Sequence, residues 1–337
     1  ALARIAAIEG DDAARALYAA KMARTAASMK ARLWREERAA CFDRERDVDD
    51  ARGFVTTLVH NNLRAMWHGV FDEAMADAFV ATHLMNRSEF WTPTPLPSIA
   101  ASDARFENEE GNNWSGPPEG LTFQRAIRAL ESYGHHAEVI MAGALQKDAL
   151  LRRTPATFPQ QIDPFTSLPD KGDCYGPMLL SQLEFSALTT GVAIRPGATR
   201  ANATVWWSNI AASTSEHASA HASEQAQTPR ATAPAFTFTQ RLGASAYRVE
   251  GFGNGTFHGS LNGKRLFACD GHVRVVSSAD GVVSGVVGAG AVSASVVLTL
   301  PQRAAARFDV APNEEWLISS VGAPVRIRRV AFTPPFV

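Results

Sequence analysis

The sequence predicts a mainly helical region followed by a small antiparallel β-sandwich domain. Up to about residue 190, Ala- and Leu-rich stretches with apolar residues at helical spacing alternate with long loops. From residue 236 onward, short β-branched or aromatic runs recur about every ten residues, separated by turns such as Asn262-Gly263 and Asp280-Gly281. The length of 337 residues is sufficient for two domains.

Six helices are predicted in the first region. The first spans residues 11–38, which contain no Gly or Pro and begin with Asp11 and Asp12, residues that favour a helix N-terminus. The other five are predicted at 53–68, 70–85, 120–132, 135–151 and 176–191. Gly134 follows the helix predicted at 120–132, and Gly191 ends the helix predicted at 176–191. Glycine is typical of such positions because it readily adopts the left-handed conformation that comes after a helix.

The second region is predicted to contain nine strands, from FTFTQRL at 236–242 to EWLISSV at 315–321. Between the two regions, residues 208–235 are rich in Ala, Ser, Thr and Gln and are interpreted as a low-complexity linker or insertion. The predicted organisation is therefore a helical domain at 1–207, the linker at 208–235, and a β-sandwich accessory domain at 236–337.

Composition excludes several classes of partner. The net charge of −1 argues against nucleic acid, whose binding proteins usually have a basic face. No apolar run reaches the roughly 18–20 residues of a membrane helix. The three cysteines are too far apart for a zinc motif, and no metal or organic cofactor is expected. Localisation stays open between cytoplasmic and secreted: four Asn-x-Ser/Thr sequons favour secretion only weakly, and the opening ALARIAAIEG lacks a signal-peptide core.

Two long loops, 86–119 and 154–175, carry the residues that suggest chemistry. Loops of this length in a compact domain are usually functional, and these two follow alternate helices, so an antiparallel array would place them at one end. Trp91 and Trp114 offer flat apolar faces to a sugar ring. The amides of Asn113, Gln160 and Gln161 suit vicinal hydroxyls.

Each of these residues also has an alternative structural interpretation. The two tryptophans could be core aromatics, and Asp163 before Pro164 could cap a turn. Glu119 lies where a helix begins, a position at which the helix dipole favours a carboxylate.

The order of the motifs resembles a known family. Asn113-Trp114-x-Gly116-Pro117, a helix ending at Tyr133-Gly134, an Asp163-Pro164-x-Thr166 loop, a glycine-containing turn and a last helix resemble the trehalase and glycoside hydrolase family 63 group, which includes mannosylglycerate hydrolases. The segment from Leu33-Trp34 to Phe42-Asp43 is also similar. The resemblance covers about residues 10–195.

The resemblance implies an (α/α)6 toroid of twelve helices, of which this chain would supply the C-terminal half. It implies an inverting hydrolysis of an α-linked glucosyl or mannosyl substrate by two carboxyl groups. The general acid is expected in the N-terminal half of the barrel, from the same protein or a companion chain. The general base is expected three residues before Asp163, where this sequence has Gln160.

Because an amide cannot act as a base, another carboxylate is needed for catalysis. The candidates are Asp163, Glu119 and Asp103, with Asp173 as a further neighbour. The predicted substrate-binding residues are Trp91, Asn113, Trp114, Gln160, Gln161 and Tyr175. Two alternatives remain open: a carbohydrate-binding relative without catalysis, and a purely structural helical scaffold.

The loop placement also predicts a geometry. We expect Trp114, Gln160, Gln161 and Asp163 to line one concave pocket. At least one of Asp103, Glu119, Asp163 and Asp173 should point into it, with a pKa raised by burial beside Trp114.

Overall fold

The helices account for about a third of the described chain and the strands for nearly as much. The computed structural model describes residues 1–45, 53–109, 114–151, 157–169, 174–197, 202–210, 234–319 and 322–336. Of these residues, 34% are helical and 29% lie in strands. The protein is therefore mixed α and antiparallel β rather than mainly α as predicted, and the toroid stays a prediction.

The helices of the described part are α1 Leu2–Glu9, α2 Asp12–Leu33, α3 Asn61–Trp67, α4 Glu73–Phe79, α5 Gly120–Ser132, α6 His136–Leu151 and α7 Gly176–Thr190. A π-helical turn, Val80–Leu84, continues α4. The Asp11 side chain caps α2 by accepting a hydrogen bond from the backbone N of Ala14 at 2.8 Å. No helix in these ranges is long and apolar enough to cross a membrane.

Three helix predictions agree with the structure to within one residue at either end: α5, α6 and α7. The prediction for 53–68 is wrong in its first half. Phe54–Val55 forms a strand that pairs with Asp43–Arg44, and α3 begins only after His60. The physical reason is local, because the run Val55-Thr56-Thr57 is β-branched and finds a strand partner. Helix α1 was not predicted.

Two short hairpins and two large sheets contain the strands. The short strands are β1 Trp34–Arg35, β2 Ala40–Cys41, β3 Asp43–Arg44 and β4 Phe54–Val55. The sheets are formed by β5 Val192–Arg195, β6 Thr204–Ser208, β7 Phe236–Leu242, β8 Ser245–Gly251, β9 Thr256–Leu261, β10 Lys264–Asp270, β11 Arg274–Ser278, β12 Val283–Val287, β13 Ala294–Thr299, β14 Ala306–Val310, β15 Glu314–Leu317 and β16 Val325–Arg329.

Each large sheet has six antiparallel strands. One has the order β14-β13-β10-β9-β8-β7, and the other has the order β16-β15-β12-β11-β6-β5. A single apolar core lies between them, with Trp207, Val275 and Val286 from the second sheet and Tyr247 and Phe267 from the first. Two sheets sharing one core in this way form a β-sandwich.

The sandwich includes more chain than the sequence indicated. Strands β5 and β6 lie before the predicted linker, and β6 pairs with β11 in register from Arg274↔Ser208 to Ser278↔Thr204. The boundary predicted at residue 207 therefore falls inside a strand. Strand β16 was also not predicted. Residues 211–233, most of the predicted linker, lie outside the described residues.

By its contacts the chain divides into two compact units. The first comprises residues 1–133, 145–182 and 333–337, and it contains both long loops. The second comprises residues 134–144 and 183–332, and it contains the sandwich.

Candidate active site

The first helical unit brings the starts of α5 and α7 side by side. Gly120 is the first residue of α5, and a Cβ atom built on it would lie 2.5 Å from the backbone N of Met178 in α7. No side chain fits in that space, so glycine is required at this position. The close approach holds the residue before Gly120, which is Glu119, near the beginning of α7.

Glu119 and Gln161 form the centre of the site. Both are fully buried, and they form an isolated antiparallel bridge between segments 42 residues apart. The Gln161 Nε2 atom donates a hydrogen bond to Glu119 Oε1 at 2.9 Å. A second backbone bond, from Ile162 N to Pro118 O at 3.2 Å, fixes the same two loops to one another.

The Glu119 carboxyl group does not cap its helix. Although Glu119 occupies the N-cap position of α5, its side chain makes no capping hydrogen bond. Burial raises its pKa to about 7, against the lowering effect of hydrogen bonding by Gln161 and Gln160 and of the charge of Arg125. The Oε2 atom is buried and has no hydrogen-bond partner within the described residues. Native proteins rarely leave a buried carboxyl oxygen in this state, and a catalytic role is one of the usual reasons.

The rings of Trp114 and His60 lie beside one another. Trp114 is 37% exposed, and its ring centroid lies 6.0 Å from that of His60. His60 is buried, and its Nδ1 atom lies 2.9 Å from the carbonyl oxygen of Ser98. Ser98 in turn donates from its backbone N to Gly116 O at 2.9 Å, so it links His60 to the loop of Trp114.

Arg125 adds positive charge near Glu119, and Arg64 lies near Arg125. Arg125, on α5, has a pKa lowered first by burial and then by the charge of Arg64 on α3, while Tyr175 and Glu119 act in the opposite direction. Burial also raises the pKa of Tyr175, and the charge of Glu119 contributes to that rise. Within the described residues, neither guanidinium group makes a hydrogen bond or an ion pair.

The structure thus brings four of the predicted site residues together: Glu119, Gln160, Gln161 and Tyr175. Trp114 lies beside His60. Trp91 is 5% exposed, as expected of a core aromatic. Asn113 and Asp173 lie outside the described residues.

Asp163 and Asp103 hold loops in place. Asp163 Oδ1 accepts hydrogen bonds from the backbone N of Phe165 and of Thr166, and its Oδ2 accepts one from Asn108. Burial raises the pKa of Asp163, but the hydrogen bonds from Thr166, Asn108 and Phe165 outweigh burial and hold it below its usual range. Asp103 accepts from the backbone N of Leu58 at 3.0 Å and of Arg105 at 2.9 Å.

Sequence reasoning missed His60, Arg64 and Arg125. The first two lie in the stretch predicted as one continuous helix at 53–68, and Arg125 lies in the middle of a correctly predicted helix. No spacing motif marks any of them, because the proximity of His60 and Arg64 to Arg125 arises from the packing of α3 against α5. In the part of the chain that is described, no cluster of three or more His, Cys, Asp or Glu could hold a metal ion.

The close contact at Gly120 leads to a first prediction. Gly120→Ala is expected to lower the free energy of unfolding by about 1–3 kcal/mol, because the added methyl group overlaps backbone atoms of α7 that cannot rotate away. Urea unfolding measures the change. The matched control is Gly176→Ala, where a Cβ would meet nothing within 4 Å and stability should hold or rise slightly. Equal stability of the two variants would contradict the close approach.

Comparison with known proteins identifies the family. Residues 1–176 match the family described as mannosylglycerate hydrolase MGH1-like glycoside hydrolase domain. The chain therefore belongs to this glycoside hydrolase family, as the order of its motifs predicted. A comparison with curated protein sequences finds no match.

The solved structures that match are longer than this chain. The glycoside hydrolase family 63 mannosylglycerate hydrolase from Thermus thermophilus, in complex with glucose, is 20% identical with a TM-score of 0.40; the match covers 48% of this chain and 38% of that one. Neutral trehalase Nth1 from Saccharomyces cerevisiae is 14% identical, with a TM-score of 0.37 over 48% of this chain and 29% of that one. A sialidase is 13% identical with a TM-score of 0.58, covering 82% of this chain and 25% of that one.

Proposed function

We propose that the chain supplies part of the sugar-cleaving site of an inverting glycoside hydrolase that acts on an α-linked glucosyl or mannosyl substrate. The observation that carries the proposal is the buried Glu119 carboxyl group, 2.9 Å from the Gln161 amide and close to Gln160 and Tyr175. A carboxyl group with a pKa near the working pH suits proton transfer, and neighbouring amides suit sugar hydroxyls.

Among the candidate carboxylates that the structure describes, Glu119 is the one suited to catalysis. Asp163 and Asp103 accept hydrogen bonds from backbone N–H groups, Asp163 from Phe165 and Thr166 and Asp103 from Arg105 and Leu58, so proton transfer would compete with the loop structure that they stabilise. Glu119 Oε2 accepts no hydrogen bond within the described residues. We therefore assign the catalytic carboxyl group to Glu119.

The proposed role of Glu119 is that of general base. The family resemblance expects the base at position 160, and the residue found there, Gln160, interacts with Glu119. A carboxylate in this neighbourhood can take a proton from the water that attacks the anomeric carbon, while the Gln161 amide holds its other oxygen. The general acid is proposed to come from residues other than those of this chain, as the resemblance implies.

A second candidate function is carbohydrate binding without hydrolysis. It is favoured by Gln160, because an amide at the expected base position removes the proton acceptor but keeps the hydrogen bonds to a sugar. In that case Glu119 would be a hydrogen-bonding residue with no proton to transfer.

A panel of α-linked glucosides and mannosides, assayed on the full-length protein, tests the proposal. Release of the free sugar in its inverted anomeric form supports it, and the anomer is read by NMR during the first turnovers. Binding by calorimetry without release of sugar supports the second candidate. No binding and no release would exclude both.

The charges near Glu119 lead us to propose that the substrate also carries an anionic group. Within the described residues, the half-buried guanidinium of Arg125 makes no hydrogen bond or ion pair, although the charge of Glu119 acts on it, and a half-buried cation is costly to desolvate. An anionic ligand would offset that cost. The family description names mannosylglycerate, a glycoside with a carboxylate, which is consistent with such a ligand.

Arg125→Gln is therefore expected to weaken binding of a carboxylate-bearing α-glycoside by about 10- to 100-fold, the value of a charge-assisted hydrogen bond. Binding of the matching neutral glycoside should change little. Calorimetry at two salt concentrations measures both, with the exposed Lys147→Gln as a control for the loss of one positive charge. Equal weakening of both ligands would exclude an anion contact at Arg125.

A further inference from the structure

One ring nitrogen of His60 makes a hydrogen bond within the described residues, and the other does not. The Nδ1 atom lies 2.9 Å from the carbonyl oxygen of Ser98, and a carbonyl can only accept, so Nδ1 carries the hydrogen and donates. The neutral ring then presents Nε2 as an acceptor. Within the described residues, Nε2 has no hydrogen-bond partner, although His60 is only 6% exposed.

The imidazole stays neutral at ordinary pH. Burial, together with the positive charges of Arg125 and Arg64, lowers the pKa of His60 to about 4, against the raising effect of the Ser98 hydrogen bond. Charging the ring would also place a third cation beside two arginines. Nε2 therefore remains an acceptor across the pH range in which glycosidases are assayed.

Trp114 provides an apolar face next to this acceptor. The two ring centroids are 6.0 Å apart with the planes tilted by 39°, and the indole is 37% exposed. Trp114 has a φ of 57°, in the left-handed region that costs a residue with a Cβ roughly 1–3 kcal/mol and is frequent at ligand sites. Ser98 stabilises this arrangement, because its Oγ donates to Pro117 O at 3.1 Å while its carbonyl accepts from His60.

We infer that His60 and Trp114 form one sugar subsite, in which a pyranose ring stacks on the indole and one ring hydroxyl donates a hydrogen bond to His60 Nε2. The ligand class is a neutral hexopyranose unit. The inference rests on the proposed function, since it assigns a specificity-determining residue to the same carbohydrate site. A wholly structural histidine would instead have partners for both ring nitrogens, as expected of buried polar groups.

A thermodynamic cycle between protein and ligand tests the inference on the full-length protein. His60→Asn keeps an amide N–H that can donate to Ser98 and removes the group at the Nε2 position. His60→Gln places an amide oxygen near that position. Calorimetry would compare methyl α-mannoside and methyl α-glucoside with their monodeoxy derivatives on the wild type and both variants.

We expect His60→Asn to weaken binding of the parent glycoside by about 3- to 10-fold, the value of one neutral hydrogen bond. Binding of the deoxy derivative that lacks the hydroxyl bonded to Nε2 should be unaffected by the substitution. His60→Gln should recover much of the loss. If the affinity lost through His60→Asn and the affinity lost through removal of a hydroxyl were additive for every hydroxyl, no hydroxyl would bind Nε2. That result would overturn the assignment of Nε2 while leaving the glycosidase proposal intact. A wild-type protein that binds no glycoside would overturn both.

Because His60→Asn could alter folding, urea unfolding of each variant accompanies the calorimetry. A variant with an unchanged unfolding midpoint and the expected loss supports a ligand contact. Loss of all sugar binding together with a lowered midpoint identifies His60 as a purely structural residue and overturns the inference.

Discussion

Replacing Glu119 with Gln is expected to lower kcat of the full-length glycosidase by about 10²–10⁴-fold, the usual contribution of a general base. The amide keeps the size of the side chain and a hydrogen-bonding partner for Gln161, so the fold should persist while proton transfer stops. Steady-state kinetics on the α-glycoside that the wild type cleaves best would measure the effect, with circular dichroism to verify the fold.

The assignment of Glu119 as the base also predicts the direction in which activity of the wild type changes with pH. A base must be ionised, and burial raises the pKa of Glu119 to about 7. Below that pH the ionised fraction falls about tenfold per pH unit, so kcat/KM should rise with pH and level off above 7. A glutamate with the usual value near 4.5 would give a plateau already at pH 6.

The matched control is Asp163→Asn. Asparagine can still accept the turn hydrogen bonds from Phe165 and Thr166, so kcat should remain close to that of the wild type. If Asp163→Asn abolished turnover and Glu119→Gln did not, the base would be Asp163 and the assignment made here would be wrong.

Trp207→Ala is expected to lower the free energy of unfolding of the sandwich unit by about 3–5 kcal/mol, the usual cost of removing a large core aromatic. Trp207 is fully buried and lies in edge contact with Phe267, with ring centroids 5.8 Å apart. Its Nε1 donates to Ser277 Oγ at 2.9 Å, so the substitution also leaves a buried hydroxyl without its donor. Urea unfolding followed by circular dichroism measures the loss.

Trp67→Ala serves as the control for the loss of a tryptophan. Trp67 is 43% exposed, so its removal should change stability by no more than about 0.5 kcal/mol. A loss for Trp207→Ala as small as that of the control would mean that the two sheets do not share the core described above.

Much of the secondary structure was predictable because its causes are local. Gly134 adopts φ of 85° directly after α5, and Asp11 caps α2, so both helix ends follow from residues at the ends themselves. The strands from 236 onward were predictable for the same reason, since alternation and Asn-Gly turns act over a few residues. Strands β5 and β6 were not, because β6 joins the sheet by pairing with β11, about seventy residues later, and β5 joins it by pairing with β6.

The sequence by itself determined the family, and it indicated the two long loops at 86–119 and 154–175 and a short set of candidate carboxylates that includes Glu119. Only the tertiary structure showed that burial and the Gln161 hydrogen bond distinguish Glu119 from the turn-forming Asp163, and on this difference we propose Glu119 as the catalytic carboxylate. It also placed Arg125 near the Glu119 carboxyl group, and His60 and Arg64 near Arg125. Arg64 and Arg125, like Glu119 and Tyr175, lie about 60 residues apart in sequence, and only the packing of α3, α5 and α7 brings them within reach.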